Sequence, residues 1–293
     1  MRIGVAGLGR MGAAMAARLI EQGCALTVWN RSAAALSEVA GLGAEPVATP
    51  ADLWNRCDFV LSSLTDDQAL EEVYLGSSGL LCSTAWGKIA VDTSTVLPGT
   101  IRRLAVKAAE VGCQLLDSPV LGTSTPARQG QLIAMVGGDS SAFERALPLL
   151  RLLARKVRHL GPSGSGAAMK LSVNIPMAAY WAAFSESLAL AARNGLDVRD
   201  VIEVIQDSPA ALAQLPLKLE ILMGRSTQVG FAIEGVVKDL EVIRAAAGAE
   251  VSLPVVQASL LKYRAATEMG AGAEDVASIT HHYRALHHAN RSA

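Results

Sequence analysis

Cysteine is scarce: Cys24, Cys57, Cys82 and Cys113 are scattered through 293 residues, without C-x-x-C or Cys–His spacing. That scatter argues against a disulfide scaffold or a structural zinc site, and predicts reduced, mostly buried thiols in a cytoplasmic protein without structural metal. Charge excess is missing as well. The net charge is −1 and no long basic run occurs, so there is no electrostatic footprint for nucleic acid. Long apolar runs are also missing. Apolar residues make up 51%, but charges interrupt them before any stretch reaches the roughly 18–20 residues of a membrane span. The N-terminus does not read as a signal peptide, because Ile3–Ala6 runs straight into a glycine turn.

What is present is alternation. Strand-like segments at 2–6, Ala25–Trp29, Asp58–Leu61, Lys88–Val91, Gln114–Leu116, Leu132–Val136 and Val157–His159 are mostly separated by helical patterns near 11–22, 32–40, 66–74, 99–111 and 140–154. This order predicts an α/β unit with an N-terminal Rossmann doubly wound sheet. After Gly161-Pro162-Ser163-Gly164 the pattern turns helical, with a long linking helix to about Arg193. An all-helical C-terminal domain follows, with breaks near Ser208-Pro209, Gly224, Gly248 and Gly270. The expected division is a nucleotide-binding domain over 1–162, an interdomain helix over 163–194, and a helical substrate and oligomerisation domain over 195–293.

Gly7-Leu8-Gly9-Arg10-Met11-Gly12 follows the first strand and opens a helix, the context in which G-x-G-x-x-G signals a dinucleotide. Gly7 permits the tight turn, Gly9 the approach of a pyrophosphate, and Gly12 close helix–strand packing. The helix N-terminus offers N–H groups to the phosphates. The second strand ends Trp29-Asn30-Arg31-Ser32, with no carboxylate to accept the ribose 2′-OH. Arg31 suits a 2′-phosphate, with Asn30 and Ser32 as added donors, so the expected cofactor is NADP(H). Ser32 also suits a helix N-cap, and Arg31 alone reads equally as a surface arginine.

Three later segments are expected to converge on one cleft: Asp92-Thr93-Ser94-Thr95, Asp117-Ser118-Pro119-Val120-Leu121-Gly122-Thr123, and Gly164-x-Gly166-x-x-x-Lys170-x-x-x-Asn174. Four features are diagnostic in this order: the fingerprint with Met11 and the following Met15-Ala16, Asp117-x-Pro119-Val120-x-Gly122, Lys170, and Lys238-Asp239-Leu240. With them the chain resembles the β-hydroxyacid dehydrogenase family over almost its whole length. That family includes 3-hydroxyisobutyrate dehydrogenases, tartronate semialdehyde reductases and glyoxylate/succinic semialdehyde reductases. The resemblance implies an NADPH-dependent oxidoreductase of a small aldehyde, keto acid or hydroxyacid. It implies Lys170 as catalytic acid/base and Asn174 as a substrate contact at the catalytic site. It also implies Lys238 beside the nicotinamide, Leu64, Thr65 and Thr95 lining the cofactor, and Val120, Leu121, Gly122 and Thr123 holding a substrate carboxylate. Family members generally form dimers or tetramers.

Residue chemistry is compatible with these roles. Lys170 and Asn174 are spaced i, i+4, hence on one helix face, with Met177, Ala178 and Trp181 continuing the stripe. A lysine opening an apolar helix is partly desolvated, which lowers its pKa toward a working range. The alternatives are a snorkelling surface lysine for Lys170, a backbone-bonded helix asparagine for Asn174, and a solvated face for Lys238. Trp181, Phe184 and Tyr180 read as core or cleft lining, and Asp66-Asp67 as a helix cap. His159 has no metal spacing, and His281, His282, His287 and His288 read as an exposed helix and tail.

Two departures from the family pattern stand out. Leu121 replaces a hydroxyl donor in the carboxylate loop, and Pro176 predicts a kink beside the catalytic helix turn. Both suggest a larger, less acid-selective pocket. The alternative activity is an imine reductase or reductive aminase acting on C=N, although Lys170 argues against it. A non-catalytic dinucleotide-binding scaffold is the third reading. Apolar stripes at Val236-Val237-Leu240-Ile243 and Leu260-Leu261-Tyr263 exceed what a small domain is expected to cover, so a homodimer or homotetramer is expected.

Overall fold

The computed structural model describes residues 1–283. The chain divides into two compact units, Met1–Leu171 and a second from Ser172 onward. The first opens with β1 (Ile3–Ala6), α1 (Arg10–Glu21), β2 (Leu26–Trp29), α2 (Ala33–Ala40), β3 (Glu45–Pro46), β4 (Phe59–Ser62), α3 (Asp67–Leu75), β5 (Ile89–Asp92) and α4 (Pro98–Glu110). It continues with β6 (Gln114–Asp117), β7 (Val120–Leu121), α5 (Ser124–Arg128), β8 (Leu132–Val136), α6 (Ser140–Leu153) and β9 (Ala154–His159). Helix α7 (Ser165–Arg193) then runs out of this unit and continues unbroken through Pro176.

Six parallel strands lie in the order β3-β2-β1-β4-β5-β6. Strand order reverses at β1, which pairs with both β2 and β4, so a crevice opens beyond their carboxyl ends. The period of two in each strand divides the apolar residues between two layers. Val5, Leu61, Val91 and Leu116 join the layer built with α1 and α6, whereas Ala6, Val60, Ala90 and Leu115 join the one built with α3 and α4. Both faces are covered, which is why β1 and β5 are buried along their whole length.

The expected single sheet needs one correction. Leu132–Val136 and Val157–His159 do not extend the six strands but form a separate three-stranded sheet, β7-β8-β9, in which β7 is antiparallel to β8. The stretch 122–131 is too short for a parallel crossover, so the chain doubles back. An antiparallel bridge between Asp117 and Gly137 ties this ribbon to the end of β6.

The second unit is helical: the rest of α7, α8 (Val198–Gln206), α9 (Leu215–Leu222), α10 (Ile233–Ala247) and α11 (Pro254–Ala266). Its helices end where Ser208-Pro209, Gly224 and Gly248 predicted breaks, and Gly270 interrupts the helical turn after α11. The expected uncovered stripes are largely covered by the chain itself. Val236, Leu240, Ile243, Leu260 and Tyr263 are buried, and of those stripes Leu261 is the large exposed residue. Exposed apolar side chains sit elsewhere, at Leu190, Val204 and Leu217. Among the described residues the most buried ion pair is Lys218–Asp275 at 2.6 Å, whose carboxylate also accepts from the backbone N–H of Gly230 (2.8 Å), Phe231 (3.3 Å) and Ala277 (3.1 Å).

Candidate active site

The candidate residues fall in both units and are described unit by unit. In the first, Gly7 turns the chain at φ +94°, and its N–H donates to the Trp29 carbonyl (2.9 Å). A Cβ at Gly12 would lie 1.9 Å from the Gly7 carbonyl oxygen, so no larger residue fits the helix against the turn. A Cβ at Gly9, by contrast, would meet nothing within 4 Å. The backbone there is open to approach from outside. Leu8 is buried, Arg10 is exposed, and Met11 is half-buried. The first turn of α1 carries no acidic side chain to compete for its N–H groups.

The end of β2 is also tied to the glycine loop. Asn30 Oδ1 accepts from Leu8 N (2.9 Å), and Asn30 Nδ2 donates to the Ser32 carbonyl (3.1 Å). The asparagine therefore holds the glycine loop in place, and Arg31 and Ser32 are left as the outward-facing donors, both exposed. Ser32 sits at the N-cap of α2 without a side-chain cap bond.

Behind these loops lies a buried carboxylate. Asp92 Oδ1 accepts from Ser62 Oγ (2.7 Å) and Ser94 Oγ (2.7 Å). Ser94 Oγ in turn accepts from Leu64 N (2.9 Å), and Tyr74 Oη lies 3.0 Å from Ser62 Oγ. The network fixes the Leu64–Thr65 and Thr93–Thr95 segments against one another. Asp66 caps α3 through Ala69 N (2.8 Å), and Asp67 accepts from Leu97 N (3.0 Å), so this acidic pair holds backbone.

Burial pushes the Asp92 carboxyl up to about 6, outweighing the hydroxyls that pull it down, and the charge of Asp117 adds a smaller upward push. An acid raised in the fold binds its proton more tightly there than in the unfolded chain. Its cost is therefore absent below the ordinary value of 3.8 and complete above about 6. Asp92→Asn removes that titration. Urea unfolding at about pH 4 and pH 7 is expected to show the variant gaining on the wild type by on the order of 2 kcal/mol as pH rises. A difference that does not change with pH sinks this account.

Asp117 closes β6 and is fully buried. Its Oδ1 accepts from Gly164 N (2.8 Å) and its Oδ2 from Ala167 N (2.8 Å), at the start of α7. Burial raises its pKa and these backbone donors lower it, with burial the larger effect. One loop further on, Lys170 Nζ donates to the Val120 carbonyl (2.9 Å). The strand register explains why that oxygen is available. Met135 N donates to the Pro119 carbonyl (3.1 Å), and Val120 lies opposite Ala134. Val120 and Ala134 are then the non-hydrogen-bonded pair, and the Val120 carbonyl points away from β8. Leu121 is half-buried in β7, Gly122 turns at φ +127°, and Thr123 starts α5, its carbonyl accepting from Ala127 N (3.0 Å).

In the second unit Asn174 is buried, and its Nδ2 donates to Asp239 Oδ2 (2.7 Å). Lys238 Nζ pairs with Asp239 Oδ1 (2.9 Å). A carboxylate only accepts, so it turns the nitrogen end of the Asn174 amide toward itself and orients the oxygen end away. Asp239 was not among the sequence-derived candidates, and neither was Asp117 as a separate functional group. The signal for Asp239 is its place on the buried face of α10, between Val236 and Ile243 at helical spacing, where a carboxylate needs donors. Trp181 and Phe184 are buried, their rings edge-to-face at 5.8 Å between centroids.

Two expectations about histidines change. His281 and His282 are partly buried rather than exposed: Nε2 of His281 lies 3.0 Å from the Leu222 carbonyl, and Nε2 of His282 lies 3.0 Å from Glu274. His287 and His288 lie outside the described residues. Among the described residues no group of His, Cys, Asp and Glu is placed to hold a metal ion, and no helix is long and apolar enough to cross a membrane.

Residues 2–161 match the family model described as the NAD binding domain of 6-phosphogluconate dehydrogenase. Residues 164–283 match the NAD-binding domain of NADP-dependent 3-hydroxyisobutyrate dehydrogenase. The chain is 32% identical to glyoxylate/succinic semialdehyde reductase 2, chloroplastic, from Arabidopsis thaliana, over 94% of this chain and 78% of that one. A 3-hydroxyisobutyrate dehydrogenase from Mycobacterium tuberculosis, solved with L-serine, superposes with a TM-score of 0.86 at 25% identity, covering 97% of this chain and 100% of that one. A reductive aminase from Aspergillus terreus shares the fold at a lower TM-score of 0.63 and 24% identity, covering 97% of this chain and 99% of that one. Two nucleotide-binding models in tandem, and a relative matched over most of both chains, establish that the chain belongs to the β-hydroxyacid dehydrogenase family of NAD(P)-binding oxidoreductases.

Proposed function

We propose that the chain is an NADPH-dependent reductase of a small aldehyde or keto acid, working in reverse as a hydroxyacid dehydrogenase, with Lys170 as its acid/base. The observation that carries this reading is the Lys170 ammonium held on the Val120 carbonyl at 2.9 Å, at the edge of the expected carboxylate loop. One of its three protons is fixed there and the others are directed elsewhere. When bound, the nicotinamide supplies hydride to the substrate carbonyl carbon. Lys170 gives a proton to the carbonyl oxygen as charge develops on it, and takes the proton back in the oxidative direction. Asn174, oriented by Asp239, is the substrate contact of this reading, and Lys238 the cofactor contact.

NADPH is favoured over NADH by the end of β2. It carries no carboxylate, Asn30 is engaged with the glycine loop, and Arg31 and Ser32 face outward. The turn, through Gly7, Leu8, Gly9, Arg10, Met11 and Gly12, and the segments with Leu64, Thr65 and Thr95 complete the cofactor contacts proposed. Leu121 supplies no hydroxyl to the loop Val120–Thr123, which relaxes the demand for an acid. A homo-oligomer in the cytoplasm belongs to the same reading, supported by exposed Leu190 and Leu217 and by four free cysteines.

A turnover panel tests it: NADPH or NADH with succinic semialdehyde, glyoxylate, an uncharged aldehyde of similar size, and a cyclic imine. Charge-assisted bonds to a 2′-phosphate predict kcat/KM roughly 10- to 100-fold higher with NADPH. The acid and the uncharged aldehyde are expected within about tenfold of one another, since one missing donor is worth about 1–3 kcal/mol. A strong preference for the acid removes the relaxed-pocket idea. Turnover of the imine alone replaces the carbonyl reading with the C=N one.

A further inference from the structure

We propose that Asp117 is a positioning residue of the reaction, clamping the first turn of α7 to the same loop whose Val120 carbonyl holds Lys170 Nζ. This rests on the reading of Lys170 as the acid/base. Asp117 itself touches neither substrate nor cofactor in this proposal; it acts through the helix turn that bears the lysine.

Three observations carry it. The N-terminal N–H groups of a helix have no partner within the helix, and α7 has no acidic residue in its own first turn. Asp117 supplies the acceptors from outside, one oxygen to Gly164 N and the other to Ala167 N, both at 2.8 Å. Ala167 precedes Lys170 by one helical turn, so the grip is applied directly below the lysine.

The clamp is also rigid. The backbone of Asp117 is tied to the second sheet by Asp117 N to the Gly137 carbonyl (3.1 Å) and Gly137 N to the Asp117 carbonyl (2.8 Å). Glycines let the carboxylate in. A Cβ at Gly137 would lie 2.5 Å from Oδ1, and one at Gly166 would lie 3.0 Å from Oδ2 and 2.3 Å from the Met135 carbonyl oxygen. The carboxylate sits in space that only glycine leaves open at these two positions.

Finally, one segment makes both grips. Asp117 fixes the helix, and Val120, three residues on, fixes the ammonium. The helix and the acceptor of its lysine therefore move as one body. A carboxylate suits both donors at once, whereas an amide presents one acceptor and turns its NH₂ toward the other N–H.

The experiment compares the full-length enzyme with Asp117→Asn, Asp117→Ala and Lys170→Ala. It measures kcat, KM, NADPH binding by fluorescence, and the pH profile of kcat. Misplacing the lysine by about an ångström predicts a kcat loss of about 100-fold in Asp117→Ala, with the Asn variant between it and wild type. NADPH binding is expected to be retained, and the limb of the kcat profile set by the proton donor to move in both variants. If Asp117→Ala keeps kcat within about twofold of wild type while Lys170→Ala is inactive, the positioning role is overturned and the lysine reading stands. If Lys170→Ala is fully active, the lysine reading falls first, whatever Asp117 does. A kcat loss with an unmoved pH profile makes Asp117 a structural cap and overturns the proposal. Should neither Asp117 variant fold, amide exchange in the wild type decides. Protection of Gly164 and Ala167 N–H equal to the interior of α7 supports the clamp, and exchange at loop rates overturns it.

Discussion

Lys170→Ala is expected to lower kcat by about 10²- to 10⁴-fold on the best carbonyl substrate, while NADPH binding is retained. The size follows from what the residue does. Hydride addition leaves negative charge on the carbonyl oxygen, and a positioned proton donor removes it during the step rather than afterwards. The alanine variant keeps the loop, because the Val120 carbonyl faces away from β8 whether or not an ammonium sits on it. Binding and chemistry thus separate cleanly in this variant. A small primary amine added to the assay is expected to restore part of kcat to Lys170→Ala and none to wild type. Unchanged turnover on every substrate tried would end the catalytic assignment.

The largest expected effect on stability lies in the second unit. Asp275→Ala is expected to cost about 3–5 kcal/mol, measured by urea unfolding at neutral pH, because it strands a buried ammonium. Lys218 Nζ loses its 2.6 Å partner, and the side chains involved are only 11% and 1% exposed. The N–H groups of Gly230, Phe231 and Ala277 lose their acceptor as well. The double variant Lys218→Met with Asp275→Ala separates these contributions. It is expected to recover part of the loss, since the lone charge is gone, and to leave the part due to the orphaned backbone donors. A double variant no more stable than Asp275→Ala would show that the ammonium was never the costly partner.

The elements with many residues were legible in the sequence, and those with few were not. The strands carrying Val5, Leu61 and Val91 each show a continuous apolar run, broken only by Thr27 in the strand that carries Val28, and the helices between them carry clear apolar stripes. Strands β3 and β7 are two residues long and α5 is five, too short for any periodicity to register. The assignment of Leu132–Val136 to the main sheet failed for the same reason. Nothing in an apolar five-residue strand says which sheet it joins, and the decision is made by the short stretch before it. Among the candidate residues, the glycine turn was readable because each glycine answers a local steric demand. The hold of Asn30 on the glycine loop was not readable, because its partner there, Leu8 N, lies 22 positions away. Asp117 and Asp239 were passed over for a similar reason. A carboxylate on a buried face announces that it needs donors, but Gly164, Ala167 and Asn174 are distant in the chain, and only the folded molecule supplies them.

Strand β7 has a consequence for how this chain tolerates change in length. Successive carbonyls of an extended strand point in opposite directions, so the oxygen presented to Lys170 is chosen by parity. Adding one residue between Pro119 and Val120 turns the Val120 carbonyl toward β8 and offers the ammonium an N–H-bearing edge of the wrong phase. Adding two there restores the phase. The loop is therefore quantised in pairs of residues, a constraint that substitution alone never meets.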